Sequence, residues 1–343
     1  NRKDTNLKPK KMLVPELYGS LQEPVRGHET QAEYMALKKA QQDELKDVGG
    51  FVGGTLNGGR RKAAAVTGRD IVTLDFDTIP PYGTDGVIQT LENMKCGYCV
   101  YSTRKHMPTA PRLRILLPLD RTVTVDEYEP IARWIAAQIG IQMADPTTFE
   151  PSRLMYWPSC SSDGEYIFRY ADAPLISADA VLNTYTDWHD CISWPQVPGA
   201  NNKYRTLAAK QGDPLEKPGV VGAFCKMCNE HGGISYAMEQ FLPGIYEVVD
   251  NSQDRYTYLG GSTTGGAITY DNEKFLYSHH ATDPCSGRLV NAFDLVRLHK
   301  FGEQDDEVKE GTPLNRLPSY KEMCEFASED KETASIMLKD RHN

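Results

Sequence analysis

Apolar and polar residues alternate along the first half of the chain in a pattern that separates strands from helices. The segment DIVTLDFDTI, residues 70–79, is β-branched and alternating, which places Val72, Leu74 and Phe76 on one face and Asp75 and Asp77 on the other. The turn PPYGTDG leads into a helix from about Val87 to Lys95. A second strand YCVYST, the loop RKHMPTAP and a third strand RLRILLPL follow. Ile131, Trp134, Ile135 and Ile139 recur at helical spacing through 125–140, with Pro130 assigned to the tolerant first turn. The strand SRLMYWPS closes the series. Strand, helix, two strands, helix, strand predicts an α+β fold, an α/β sandwich with a mixed sheet and an RRM-like, split β-α-β core.

Upstream, residues 28–47 are polar and predict a surface helix, followed by the loop GGFVGGTLNGGRRK, expected to form a flexible finger. This loop lacks the Gly-Lys-Ser/Thr ending of a phosphate-binding P-loop, which excludes an ATPase built on it; Arg60, Arg61 and Lys62 at its tip are candidates for template or phosphate contact. Downstream, residues 196–218 are proline-rich with little periodicity and predict a linker. The expected division is a catalytic domain over 1–195, a smaller α+β accessory domain over 219–330 for template or initiating nucleotide, and a tail over 331–343. Strands at RYTYLG, GAITYD and KFLYSHH and a helix at NAFDLVRLHKFG compose the accessory domain, where Tyr256, Tyr258 and Tyr270 are candidate stacking platforms.

A length of 343 residues suits two domains, and 40% hydrophobic with 25% charged residues excludes a disordered or fibrous chain. No apolar run approaches a membrane span, and the basic start NRKDTNLKPKKM lacks a secretory segment, so the expected location is the cytoplasm, without a membrane partner. The eight cysteines are then expected as reduced thiols. Starting on Asn and ending on SIMLKDRHN, the sequence is expected to be a piece of a longer protein. The net charge of -9 speaks at first against a phosphate-rich partner, yet Lys95, Arg104, Lys105, Arg112, Arg114 and Arg121 stand against Asp120 alone within 95–121. An acidic total with a local basic stripe fits a polymerase, which needs acidic metal ligands beside phosphate contacts.

Asp75 and Asp77 share one strand face, where their repulsion is relieved by hard divalent cations, Mg²⁺ or Mn²⁺. Ser102, Arg104 and His106 crowd the end of the next strand in chemistry suited to triphosphate oxygens. Arg112 and Arg114 share a face of the third strand as an exposed phosphate clamp, with salt bridges to nearby carboxylates as the alternative. Asp145 supplies a third carboxylate and Arg153 a further cation. Three carboxylates suffice for two-ion phosphoryl transfer. Cys225, Cys228, His280 and Cys285 are a candidate zinc set.

In that order, LDFD, STRKH and ADPTTFEPSR resemble the three motifs of the archaeo-eukaryotic primase superfamily over roughly residues 40–170. The resemblance implies that Asp75, Asp77 and Asp145 hold metal and that Ser102 and His106 contact the incoming nucleotide. More narrowly, SADAVLNTYTDW, KPGVVGAFCKM and YSHHATDPCSGRLVNAFDLVRLHKFG resemble phage proteins of the virulence-associated E family, in which a primase-like domain precedes a helicase-like ATPase. The expected function is therefore a template-directed primase-polymerase of a phage or mobile element. It would make and extend primers on single-stranded DNA from NTPs or dNTPs, with the ATPase domain downstream in the parent protein. A catalytically idle replication-initiation or single-strand-binding module and a metal-dependent nuclease stand as alternatives.

Overall fold

The computed structural model describes residues 7–59, 61, 63–309 and 311–342. Two units divide the chain: Asn1–Trp188 with Trp194–Pro198, and His189–Ser193 with Gly199–Asn343. No helix among the described residues is long and apolar enough to cross a membrane.

In the first unit, β1 (Gly54–Leu56), β2 (Val66–Phe76), β3 (Tyr98–Ser102), β4 (Leu113–Val123) and β5 (Phe168–Ala171) form one sheet in the order β1-β2-β4-β3-β5. Every neighbouring pair is antiparallel, where the sequence pattern suggested a mixed sheet. The reason is the short connection from β3 to β4, which can close only an antiparallel pair. β4 thereby inserts between β2 and β3, which run the same way on either side of it. Helix α1 (Thr84–Asn93) joins them in a split β-α-β unit.

Helix α2 (Val125–Ile139) packs on β2. It starts with a reciprocal cap: Glu127 donates its amide to Thr124 Oγ1 at 3.3 Å, and Glu127 Oε2 accepts the Thr124 amide at 2.8 Å. Pro130 falls in the second turn rather than the first. The opposite sheet face is covered as well, since Tyr18 and Leu21 of the helix Val14–Leu21 pack with Ile71, Cys99, Tyr101 and Leu116. Both faces of β2 are consequently buried, including the one that carries Thr73 and Asp75.

Arg69, fully buried on β2, ties peripheral segments to the sheet. Its guanidinium donates to Gly53 O at 2.9 Å, Pro151 O at 2.5 Å, Ile71 O at 3.0 Å and Thr73 Oγ1 at 3.0 Å, and it lies over the Tyr128 ring at 4.1 Å. Burial lowers its pKa, and these acceptors are what hold the cation.

Three local expectations change. SRLMYWPS does not join the sheet. Met155–Tyr156 pairs with Gly50–Phe51 and Ser159–Cys160 with Val25–Arg26, because Pro158 has no amide to donate and the Trp157 amide goes to Gly49 O. The glycine-rich stretch is likewise paired strand rather than a loose finger; a Cβ at Gly54 would stand 2.1 Å from Gly68 O, so only glycine permits this approach. Residues 28–47 form two short helices, Gln31–Ala36 and Lys39–Lys46, locked together by Tyr34 Oη donating to Gln42 O at 3.2 Å.

The second unit is an antiparallel meander of β6 (Tyr246–Val248), β7 (Arg255–Tyr258), β8 (Ala267–Tyr270), β9 (Phe275–Ser278) and β10 (Leu289–Val290). Helices α3 (Ala200–Gln211), α4 (Gly219–Glu230), α5 (Ile234–Phe241), α6 (Ala292–Phe301), α7 (Pro318–Glu329) and α8 (Lys331–His342) accompany it. Residues 196–218 are thus not an extended linker. α3 buries Tyr204 and Ala208, with the Tyr204 ring 4.2 Å from that of Tyr277 and 5.6 Å from that of Tyr270. Two buried side chains suffice to dock this otherwise polar helix. Residues 331–342 are helical rather than a tail and pack on α4. Tyr256 and Tyr270, expected as stacking platforms, are buried, and Tyr258 is half-buried against Tyr246.

The Arg69 network predicts that Arg69→Met strips four acceptors of their donor and lowers unfolding stability by about 3 kcal/mol or more. A surface control such as Lys39→Met should stay within about 0.5 kcal/mol in the same urea titration.

Candidate active site

The end of β2 gathers acidic and basic side chains from four segments. Asp75 is the cross-strand register partner of Arg114, and Arg114 in turn of Tyr101. Arg114 is buried, not part of an exposed clamp as expected. Its Nε donates to Asp75 Oδ1 at 2.6 Å, and one terminal nitrogen donates to Tyr156 O at 2.9 Å. Burial works against the guanidinium charge, but Asp75 beside it raises the pKa beyond its ordinary value. Asp75 is buried too, although it shares its strand face with the partly exposed Asp77.

Asp145 reaches the same place through the backbone. Its amide donates to Asp75 O at 2.9 Å, the Asp75 amide donates to Thr148 Oγ1 at 2.7 Å, and Phe76 bridges to Ala144. Thr147 donates its amide and hydroxyl to Asp145 Oδ1, both at 2.9 Å, fixing that carboxylate. Arg153 then stands 3.3 Å from Asp145 Oδ2 and 3.7 Å from Asp75 Oδ2. Arg112 lies 3.2 Å from Asp77 Oδ2, both about one-third exposed. Burial, followed by the charge of Asp75, raises the Asp77 pKa despite Arg112. The Asp77 carboxylate thus carries a solvent-facing ion pair with Arg112 while burial and Asp75 disfavour its charge. A hard divalent cation suits such a site. The three carboxylates are not mutually within 4.8 Å as a set, as only Asp283, Cys285 and His299 are among the described residues, so joint ligation requires side-chain rotation.

Lys46 was absent from the sequence reading. It ends a polar helix, with its ammonium 4.7 Å above the Tyr156 ring; burial, followed by the charge of Arg114, lowers its pKa, and Asp75 and Asp77 oppose the shift. Nothing in the sequence around Lys46 could have marked it, because only the fold brings residue 46 near residue 75.

The other candidates divide between structural and accessible roles. Ser102 is buried and paired with Ile167, whose amide donates to Ser102 Oγ at 2.8 Å. Arg104 is buried against Glu29 and over the Tyr34 ring at 4.9 Å. His106 is buried beside Arg112, whose amide donates to His106 Nδ1 at 3.1 Å, and burial lowers the imidazole pKa. Arg60 and Lys62 lie outside the described residues; Arg61 donates to Ser152 O at 3.5 Å.

The proposed zinc set does not assemble. Cys225 and Cys228 sit in the apolar core of the second unit, where burial pushes the Cys225 thiol up to about 12 and Cys228 further. His280 Nε2 accepts the amides of Tyr258 and Gly266 at 3.1 and 3.0 Å, and its Nδ1 lies 2.8 Å from Thr263 Oγ1. Both ring nitrogens are occupied. Cys285 instead neighbours Asp283 and His299. There the Tyr246 hydroxyl donates to Asp283 Oδ2 at 2.8 Å and lies 2.7 Å from His299 Nε2, a hydrogen-bonded relay.

Residues 1–197 match the family model described as the VapE N-terminal domain. Among solved structures, the chain is similar to the primase-polymerase AEP domain of cyanophage S-2L, at 18% identity and a TM-score of 0.30, over 43% of this chain and 76% of that one. No curated protein matches the chain.

Two outcomes follow for this cluster. Asp75→Ala strands the buried Arg114 charge and should cost about 3–5 kcal/mol in denaturant unfolding, whereas Asp77→Asn should cost little. His106 titrates below its unfolded value, so the stability it contributes is present above about pH 6.5 and lost as pH falls through the folded pKa. Melting curves from pH 8 to pH 5 should accordingly be flatter for His106→Gln than for the wild type.

Proposed function

The chain belongs to the family of the VapE N-terminal domain, and from that premise we propose that its first unit is a metal-dependent nucleotidyltransferase extending a primer on a single-stranded DNA template. The observation that carries this reading is the backbone pairing of Asp145 with Asp75, which joins the third carboxylate to the Asp-x-Asp strand end among Arg112, Arg153 and Lys46. Asp75, Asp77 and Asp145 would hold two Mg²⁺ or Mn²⁺ ions. When bound, such ions lower the pKa of a primer 3′-hydroxyl and stabilise the departing pyrophosphate.

The protein's own groups divide the remaining work. Arg114 is a positioning residue: it engages one oxygen of Asp75 and leaves the other turned toward Arg153. Arg112, Arg153 and Lys46 are partly exposed and supply positive charge for triphosphate oxygens. His106 presents Nε2 as a neutral donor, because its Nδ1 is already an acceptor. The second unit would serve the template or the first nucleotide, and a helicase-like ATPase domain is the partner that this activity calls for.

The test is extension of a labelled primer on single-stranded template with Mg²⁺ or Mn²⁺, assayed with ribo- and deoxynucleotides. Asp77→Asn should lower the rate by about 100-fold or more with the fold intact. Lys46→Ala and Arg153→Ala should act chiefly on nucleotide KM. Cation-dependent shortening of the strand without nucleotide incorporation would replace the reading with a nuclease.

A further inference from the structure

His106 carries a hydrogen-bond donor with no acceptor in reach. Its Nδ1 accepts the Arg112 amide at 3.1 Å, which places the ring proton on Nε2, and that buried nitrogen makes no hydrogen bond. Glu165 Oε2 faces it at 3.7 Å, too far for a hydrogen bond. Buried donors are almost always matched, so an orphan aimed at a carboxylate marks a place where a closer oxygen belongs.

Glu165 has a fixed backbone and a movable side chain. Its carbonyl accepts the Cys160 thiol at 3.6 Å. Two residues on, Ile167 is gripped by Ser102, which receives the Ile167 amide at 2.8 Å and donates its own amide to Ile167 O at 2.9 Å. The Glu165 side chain is nevertheless 48% exposed, so a rotamer change carries the carboxylate away from His106 without moving the chain.

We propose that Glu165 is a carboxylate gate over an anion subsite: it lies across the path to His106 Nε2–H and swings aside when a polyphosphate oxygen takes that donor. The identity of the anion as an incoming nucleotide rests on the function proposed above, whereas the gate itself rests on the His106, Glu165 and Ser102 geometry. Ser102 thereby acts through the loop it anchors. The device favours polyanions, since a ligand must replace one negative group with another at a neutral imidazole.

The experiment is calorimetric binding of inorganic tripolyphosphate to the full chain, without divalent cation. Glu165→Gln should bind about fivefold tighter or more, as expected for removing one like charge at contact distance. In a His106→Ala background the same substitution should change affinity less than about twofold, as should Asp172→Asn, an equal charge change at an exposed position beyond the same loop. Equal or weaker binding by Glu165→Gln overturns the gate. So does an equal gain from Asp172→Asn, a gain that persists without His106, or no tripolyphosphate binding by any variant. Primer extension measured on the same proteins separates the two ideas. Loss of extension with the tripolyphosphate pattern intact removes the polymerase reading and leaves the gate, and the converse removes only the gate.

Discussion

The buried ion pair between Asp75 and Arg114 is the constraint on which the first unit depends. Taking both charges out of water costs several kcal/mol for each ion, and only close, fully engaged geometry offsets that cost. The sheet supplies the geometry by making the two residues register partners, and Tyr156 O supplies the next acceptor. A shift of β4 by one residue would turn Arg114 to the other face and leave Asp75 buried with only the more distant Arg153 opposite it. One contact therefore fixes the strand register and aims the carboxylate.

Around that pair, charge is arranged in shells of different exposure. Arg114 is buried and structural, while Arg112 and Arg153 are partly open and paired with Asp77 and Asp145. Under the proposed function, these arginines would exchange a carboxylate for a phosphate once cations held the acids. The net charge of -9 coexists with a local concentration of positive charge, since Lys46, Arg112 and Arg153 all stand near the acidic strand end.

The second unit meets a different problem, that of burying polar side chains among apolar ones. His280 answers it at both ring nitrogens, Nε2 accepting two backbone amides and Nδ1 meeting the Thr263 hydroxyl. Asp283 is opposed by burial, yet His299 and the Cys285 amide hold its carboxyl below its usual range. Fully matched networks of this kind specify one packing and make these histidines structural.

The sequence by itself determined the order of the main elements, because period-2 runs such as VTLDF and the helical spacing of Ile131, Ile135 and Ile139 are periodicities of neighbouring side chains, legible without any distant residue. It also offered Asp75, Asp77, Asp145, Arg112 and Arg153 as candidates, since side-chain chemistry is local information, and the fold brings these five to one strand end. Burial was decided by the tertiary structure alone. Whether Arg114 clamps a ligand or neutralises Asp75 depends on the helix Val14–Leu21 covering that sheet face, and nothing near residue 114 encodes such cover. The docking of α3 turns on Tyr204 meeting Tyr277, and the place of Lys46 beside the acids on segments far apart in the chain. Long-range contacts set solvent exposure, and exposure decides whether a charged group binds a ligand or holds the fold.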